Sequence, residues 1–256
     1  MSPGTTSPST TVRARAPIVA IVVYTLRIML HGRRWIGLAL PAVAAVLFGL
    51  LARALESTPD ENFAQVASNA LFGLVLPVAC LVVGDSALGS EIRSGSFTFT
   101  WLSPVATWQI VLGRWLGGVM AGGGTLTVAF ALSAVIAGDG SSAGDVALAG
   151  AVGSMAYIGV FLTIGCLVRR AAAWSLAFVF LVERLLGAAL AGIAQVSPGW
   201  EAQAAFLGLT DGPSDLIREG IPQGGAALVR LLVITALALA VASWRLAHLR
   251  LSGSSD

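Results

Sequence analysis

Hydrophobic residues in this chain come in long, nearly uninterrupted blocks, and the polar residues are confined to short segments between them. The blocks are Trp35 to Ala52, Val66 to Gly84, Leu116 to Ala137, Val146 to Val168, Ala171 to Val196 and Ala226 to Trp244. Each is near the roughly 20 residues that, at about 1.5 Å per residue, carry a helix across a bilayer. Alternation at period two, the mark of a membrane barrel, is absent from them. The pattern predicts an all-α polytopic membrane protein with six transmembrane helices.

Composition sharpens this. Hydrophobic residues make up 56% of the 256 and charged residues 11%, against roughly 25% charged in soluble domains. A soluble fold of this size would need a polar surface that the chain does not supply. All 15 basic residues are arginine. That usage, with abundant Ala, Gly and Val, matches a GC-rich bacterial coding sequence.

Orientation follows from where the arginines fall. With the N-terminus inside, Arg13, Arg15, Arg27, Arg33, Arg34, Arg93, Arg114, Arg169, Arg170, Arg245 and Arg250 lie on the cytoplasmic side. Arg53, Arg218 and Arg230 fall outside, and Arg184 lies within a span. This is the asymmetry of the positive-inside rule, and it puts both termini in the cytoplasm of a multi-pass protein of the plasma membrane. The formal charge of +2 gives no basic face for a nucleic acid, because the arginines are spread along the membrane edges.

Residues 1–16 are rich in Ser, Thr, Pro and Gly and read as a disordered cytoplasmic tail, and residues 247–256 as a second tail. Between tail and first span, residues 17–34 read as an amphipathic interfacial helix. Pro17 suits its first turn, and Tyr24, Arg27, His31 and Arg34 recur on one face. The alternative is a frayed extension of the first span. Residues 35–246 form the six-span domain.

Catalytic chemistry finds no support. Cys80 and Cys166 lie inside spans without metal-ligand spacing, and His31 and His248 are isolated. Gly122, Gly123 and Gly124 are followed by Thr125 rather than the Lys-Ser/Thr of a phosphate-binding loop. No metal or cofactor is expected on this chain, which is not expected to be an enzyme by itself. The glycines have another use: Gly113, Gly117 and Ala121 recur every four residues, and Gly118 pairs with Gly122. Such spacing lets helix backbones approach closely in lipid. It makes the third span either central to the bundle or a dimer contact, with ordinary packing inside one chain as the alternative.

The segment 85–104 is the most informative. It is polar but patterned, with Glu91, Arg93 and Gly95 followed by Ser103 and Pro104. Ser-Pro is a helix-start signal, the hydroxyl capping free amides and the proline occupying the first turn. Trp108, Arg114 and Trp115 then mark the water–lipid boundary. An element here, rigidly continuous with the third span, would tilt that span when pushed.

At these residues the chain resembles the permease subunits of type 2 ATP-binding-cassette exporters. Their pattern is a glutamate after the second span, a glycine, a leucine-rich segment, a proline, and a small residue before Lys or Arg. Here these are Glu91, Gly95, Leu102, Pro104, and Gly113 with Arg114; Phe97 to Trp101 departs from the usual leucines. The six-span layout and the long outer segment 197–225, with apolar stretches at Ala204 to Leu209 and Leu216 to Ile221, also match. The resemblance implies short helices there that re-enter the outer leaflet. It further implies two permeases, identical or related, paired with two soluble ATPase subunits that carry ATP and Mg. Glu91, Arg93, Gly95, Pro104 and Arg114 would couple the permease to the ATPase. The cargo implied is an amphipathic small molecule, antibiotic, drug or lipid. A secondary transporter driven by an ion gradient and a non-transporting assembly factor are the competing functions.

Glu183 and Arg184 stand near the middle of the fifth block. Each charge there costs roughly 2.5–3.5 kcal/mol on insertion scales, and neighbours on a helix point about 100° apart. They belong to a substrate path or a dimer seam, or to a buried polar network.

Overall fold

The computed structural model describes residues 17–31, 35–55, 59–89, 105–168, 170–210, 216–217 and 220–248. Among them the chain is helical without strands. Five helices are long and apolar enough to cross a membrane: α2 (Trp35–Ala54), α3 (Asn62–Ala87), α4 (Thr107–Ala137), α5 (Ala143–Leu167) and α8 (Gly225–Ala247). Three more complete the bundle: α1 (Pro17–Leu30), α6 (171–189) and α7 (Pro198–Leu209). The Ala171 to Val196 block is therefore not one straight span. Its helix ends where Leu190 turns extended (φ −122°, ψ 112°), and a single turn, Ala191–Ala194, follows.

Helices α3 and α5 form the centre, with 61% of their membrane window buried, against 44% for α4 and 22% for α2 and α8. The third span is thus not the most central one. Side-chain shape explains the core: Phe72 stacks on Phe206 at 5.5 Å and meets Phe130 edge-on at 5.6 Å, tying α3, α7 and α4 together. The outer faces of α2, α6 and α8 present Leu40, Leu47, Leu181, Val229 and Leu237, as surfaces in contact with lipid should.

The glycine spacing in α4 packs helices of one chain. A Cβ at Gly113 would strike Ile21 of α1, and one at Gly117 would strike Thr25 of α1. A Cβ at Gly118 or Gly122 would strike Val83 of α3. So α4 is clamped between the N-terminal helix and the second span, and α1 is a packed helix rather than a frayed extension. Its buried face is Thr25 and Met29, while Tyr24, Arg27 and His31 are exposed.

This predicts a labelling result. Thr25→Cys should resist a maleimide reagent, since Thr25 is 1% exposed. Adding Gly117→Leu should lift α1 and open the site to labelling; continued protection would refute the clamp.

Helix α4 begins at Thr107, after Ala106 in extended conformation; Ser103 and Pro104 lie outside the described residues. The Trp115 indole N–H donates to the Met155 carbonyl of α5 at 3.0 Å. Arg114 is 2% exposed, with its guanidinium 4.8 Å from the centre of the Tyr24 ring. A cation over an aromatic face in a dry site is favourable, and this one fastens α1 to α4.

Candidate functional site

The polar centre of the molecule is built where α6 breaks and α7 begins. Ser197 and Pro198 start α7 as a capping serine and a first-turn proline should. The Ser197 hydroxyl accepts from the Trp200 N–H at 3.5 Å and donates to Glu183 Oε1 at 2.5 Å. The Gly199 N–H also donates to Oε1, at 3.4 Å, and the Tyr157 hydroxyl of α5 donates to Oε2 at 2.6 Å. The Trp200 indole N–H donates to the Glu183 carbonyl at 3.1 Å. A carboxylate thus lies against a helix N-terminus, where free amides and the helix dipole favour negative charge. A Cβ at Gly199 would collide with the Tyr157 hydroxyl, so only glycine lets α7 approach this closely.

Glu183 is 2% exposed, and the cluster leaves no room for a solute. Its carboxylate joins α5, α6 and α7 through these contacts. Arg184 lines the same cluster beside Glu183. Its guanidinium also lies against Gly73 of α3, where any side chain would collide with it.

A second tether holds α7 from the other side. Arg230 of α8 donates to Glu201 Oε1 at 3.2 Å, with Glu201 fully buried. Arg230, counted on the outer side, is in the second turn of α8. Helix α7 itself is buried from Pro198 to Leu207 apart from Trp200. It starts six residues before the apolar stretch expected at Ala204.

The described residues hold no group of three or more His, Cys, Asp or Glu side chains able to bind a metal. Cys80 and Cys166 are buried free thiols. Glu91, Arg93, Gly95 and Pro104 lie outside the described residues, as do residues 1–16 and 249–256. Other space is apolar: a groove of about 650 Å³ runs between α2 and α4, lined by Val46, Met120, Thr125 and Val128 among others.

Fold and site define a multi-pass helical membrane protein with a polar knot buried in its lipid-facing bundle. No protein-family model and no curated protein matches the chain.

Proposed function

We propose that the protein is the membrane-spanning permease subunit of an ATP-driven exporter of the type 2 ATP-binding-cassette class. The observation that carries the proposal is the length and continuity of α4. At 31 residues it is a rod of about 46 Å, well beyond the roughly 30 Å of a bilayer core. The excess emerges immediately after segment 90–104, which holds the exporter-like Glu91, Gly95 and Pro104. A rod of this kind, clasped by α1, transmits a push along its axis instead of absorbing it in a loop. The pusher is a soluble ATPase on the cytoplasmic side, binding ATP and Mg. A second permease completes the transporter, and both termini are cytoplasmic. Six crossings result, with α6 and its continuation as the fifth. The apolar groove between α2 and α4 suits an amphipathic small molecule, drug or lipid.

The test is co-purification with a soluble ATPase, followed by Glu91→Gln. Losing one interfacial charge contact should lower transport-coupled ATP turnover about tenfold, the equivalent of ~1.4 kcal/mol, with membrane insertion intact. Unchanged turnover would reject the coupling role.

One observation favours a second reading. The break at Leu190 and the α7 N-terminus aimed at Glu183 are the broken helix and intramembrane charge of ion-coupled secondary transporters. Solute flux driven by a proton gradient through the isolated chain would select that reading.

A further inference from the structure

We infer that the cleft between α5, α6 and α8 binds an anionic phospholipid, with its chains in two apolar lobes and its phosphate at Arg170 and Arg245. The inference requires only that the bundle sits in lipid, and it stands whether or not the exporter reading does.

Helix α6 meets the bundle along a single row. Ala171, Ser175, Val179, Glu183 and Gly187 are buried at four-residue steps, and the described positions between them are exposed or half-buried. Residues at that spacing make one narrow ridge, so the flank of α6 beside it does not close on α5. Two apolar lobes occupy the gap. One, of about 280 Å³, lies between α5 and α6 and is lined by Leu167, Trp174 and Leu181. The other, of about 370 Å³, reaches α8 and is lined by Val160, Leu237 and Val241. Ile164 and Phe178 line both lobes, which therefore adjoin.

Both lobes lead to one basic rim. On α8 the lining residues Ile234, Leu237 and Val241 recur at three- and four-residue steps, and the same face continues into Trp244, Arg245 and His248. Arg170 is exposed and lies between Val168 and Trp174, both of which line the narrower lobe. The ends of α5 and α8 come together: Leu162, Cys166, Ala242 and Leu246 share one buried cluster, and Arg245 is within electrostatic reach of Cys166. Trp174 and Trp244 flank the rim at 61% and 63% exposure, the placement of aromatic side chains at headgroup depth.

Charge and shape select the occupant. Two cations at the mouth of a hydrocarbon-lined space match a phosphate that carries hydrocarbon chains, and two lobes match two chains. Guanidinium bonds to phosphate are charge-assisted and bidentate, and basic pockets between helices at a membrane surface suit acidic headgroups. A second copy of this chain is a poorer occupant. Seated here by two-fold symmetry, it would bring its own Arg170 and Arg245 to the same seam, like charge against like.

The experiment titrates the purified, delipidated full chain with phosphatidylglycerol and with phosphatidylcholine of the same acyl chains. Inorganic phosphate serves as competitor, and retention is read by native mass spectrometry. Wild type should retain phosphatidylglycerol about tenfold better than phosphatidylcholine, and the Arg170→Gln, Arg245→Gln double variant should lose that preference. The corresponding double lysine variant should keep part of it. Arg27→Gln removes another exposed arginine, on α1 away from the cleft, and should change nothing. Ala177→Phe, at an exposed position lining the narrower lobe, should weaken phosphatidylglycerol retention severalfold at an unchanged melting temperature. Equal retention of the two lipids, a preference that survives the double glutamine variant, or an equal loss in Arg27→Gln would each overturn the site. So would full retention in Ala177→Phe, displacement of the lipid by inorganic phosphate, or a change in oligomeric state of the double variant with lipid retention unaltered.

Discussion

Glu183→Ala is expected to lower the unfolding free energy of the purified protein by about 2–5 kcal/mol, from three lost donors at about 0.6–1.7 kcal/mol each in a membrane interior. The donors are the Tyr157 hydroxyl, the Ser197 hydroxyl and the Gly199 amide. Removing the carboxylate leaves all three buried without an acceptor, and buried groups left unsatisfied cost more than the bonds contribute. Tyr157→Phe removes one donor and should cost about 0.6–1.7 kcal/mol. Glu183→Gln keeps one acceptor oxygen and should fall between the two. Because the Trp200 indole donates to the Glu183 carbonyl, its emission should report loosening of α7 before the bundle melts. Thermal unfolding in detergent with Trp200 fluorescence measures both. A Glu183→Ala protein that melts with wild type would show that the network holds nothing. A full loss of transport with unchanged melting would return Glu183 to the substrate path.

How far this was legible in the sequence differs by element. Helices α2, α3, α4, α5 and α8 could be read directly, because a helix in lipid needs an apolar run of fixed length and little else. The interruption at Leu190 was marked only weakly, by Gly187 and Gly192 on either side without a proline. In the fold it lets α7 turn back to meet Glu183. Its start was nonetheless marked: Ser197 and Pro198 carry the same signal as Ser103 and Pro104. At Ser197 it caps a helix, whereas α4 starts only at Thr107.

The charges follow the same division. Glu183 and Arg184 line one cluster, but the groups they touch, Tyr157 and Gly73, are 26 and 111 residues away in sequence, by difference of numbers, and no local pattern reveals them. Arg114 reads as an interfacial cation by position, and packing of α1 over it makes it a buried one. Small residues at four-residue spacing announced close packing in α4 but not which helix would fill the groove. The same spacing at Ala45 and Gly49 in α2 carries equal weight.

Gly49 should be among the most sensitive small positions in the bundle. An ideal Cβ there would overlap the carbonyl oxygen of Ser133 and fall 2.8 Å from its Cα. A flexible side chain could yield to such a contact, but a helix backbone cannot, so α2 and α4 would have to separate along their length. Gly49→Val should therefore cost at least the 1–3 kcal/mol or so typical of overpacked sites. Separation would also pull the Arg53 guanidinium from the Ile136 carbonyl, a 3.4 Å contact at the same end of the pair. Gly124, on α4, supplies the control: a Cβ there meets nothing within 4 Å. Gly124→Ala should gain up to about 1 kcal/mol from helix propensity alone. Opposite shifts in melting temperature for the two variants are the expected result. If Gly49→Val matched Gly124→Ala, the two helices would not be in backbone contact, and the packing of α2 against α4 would have to be redrawn.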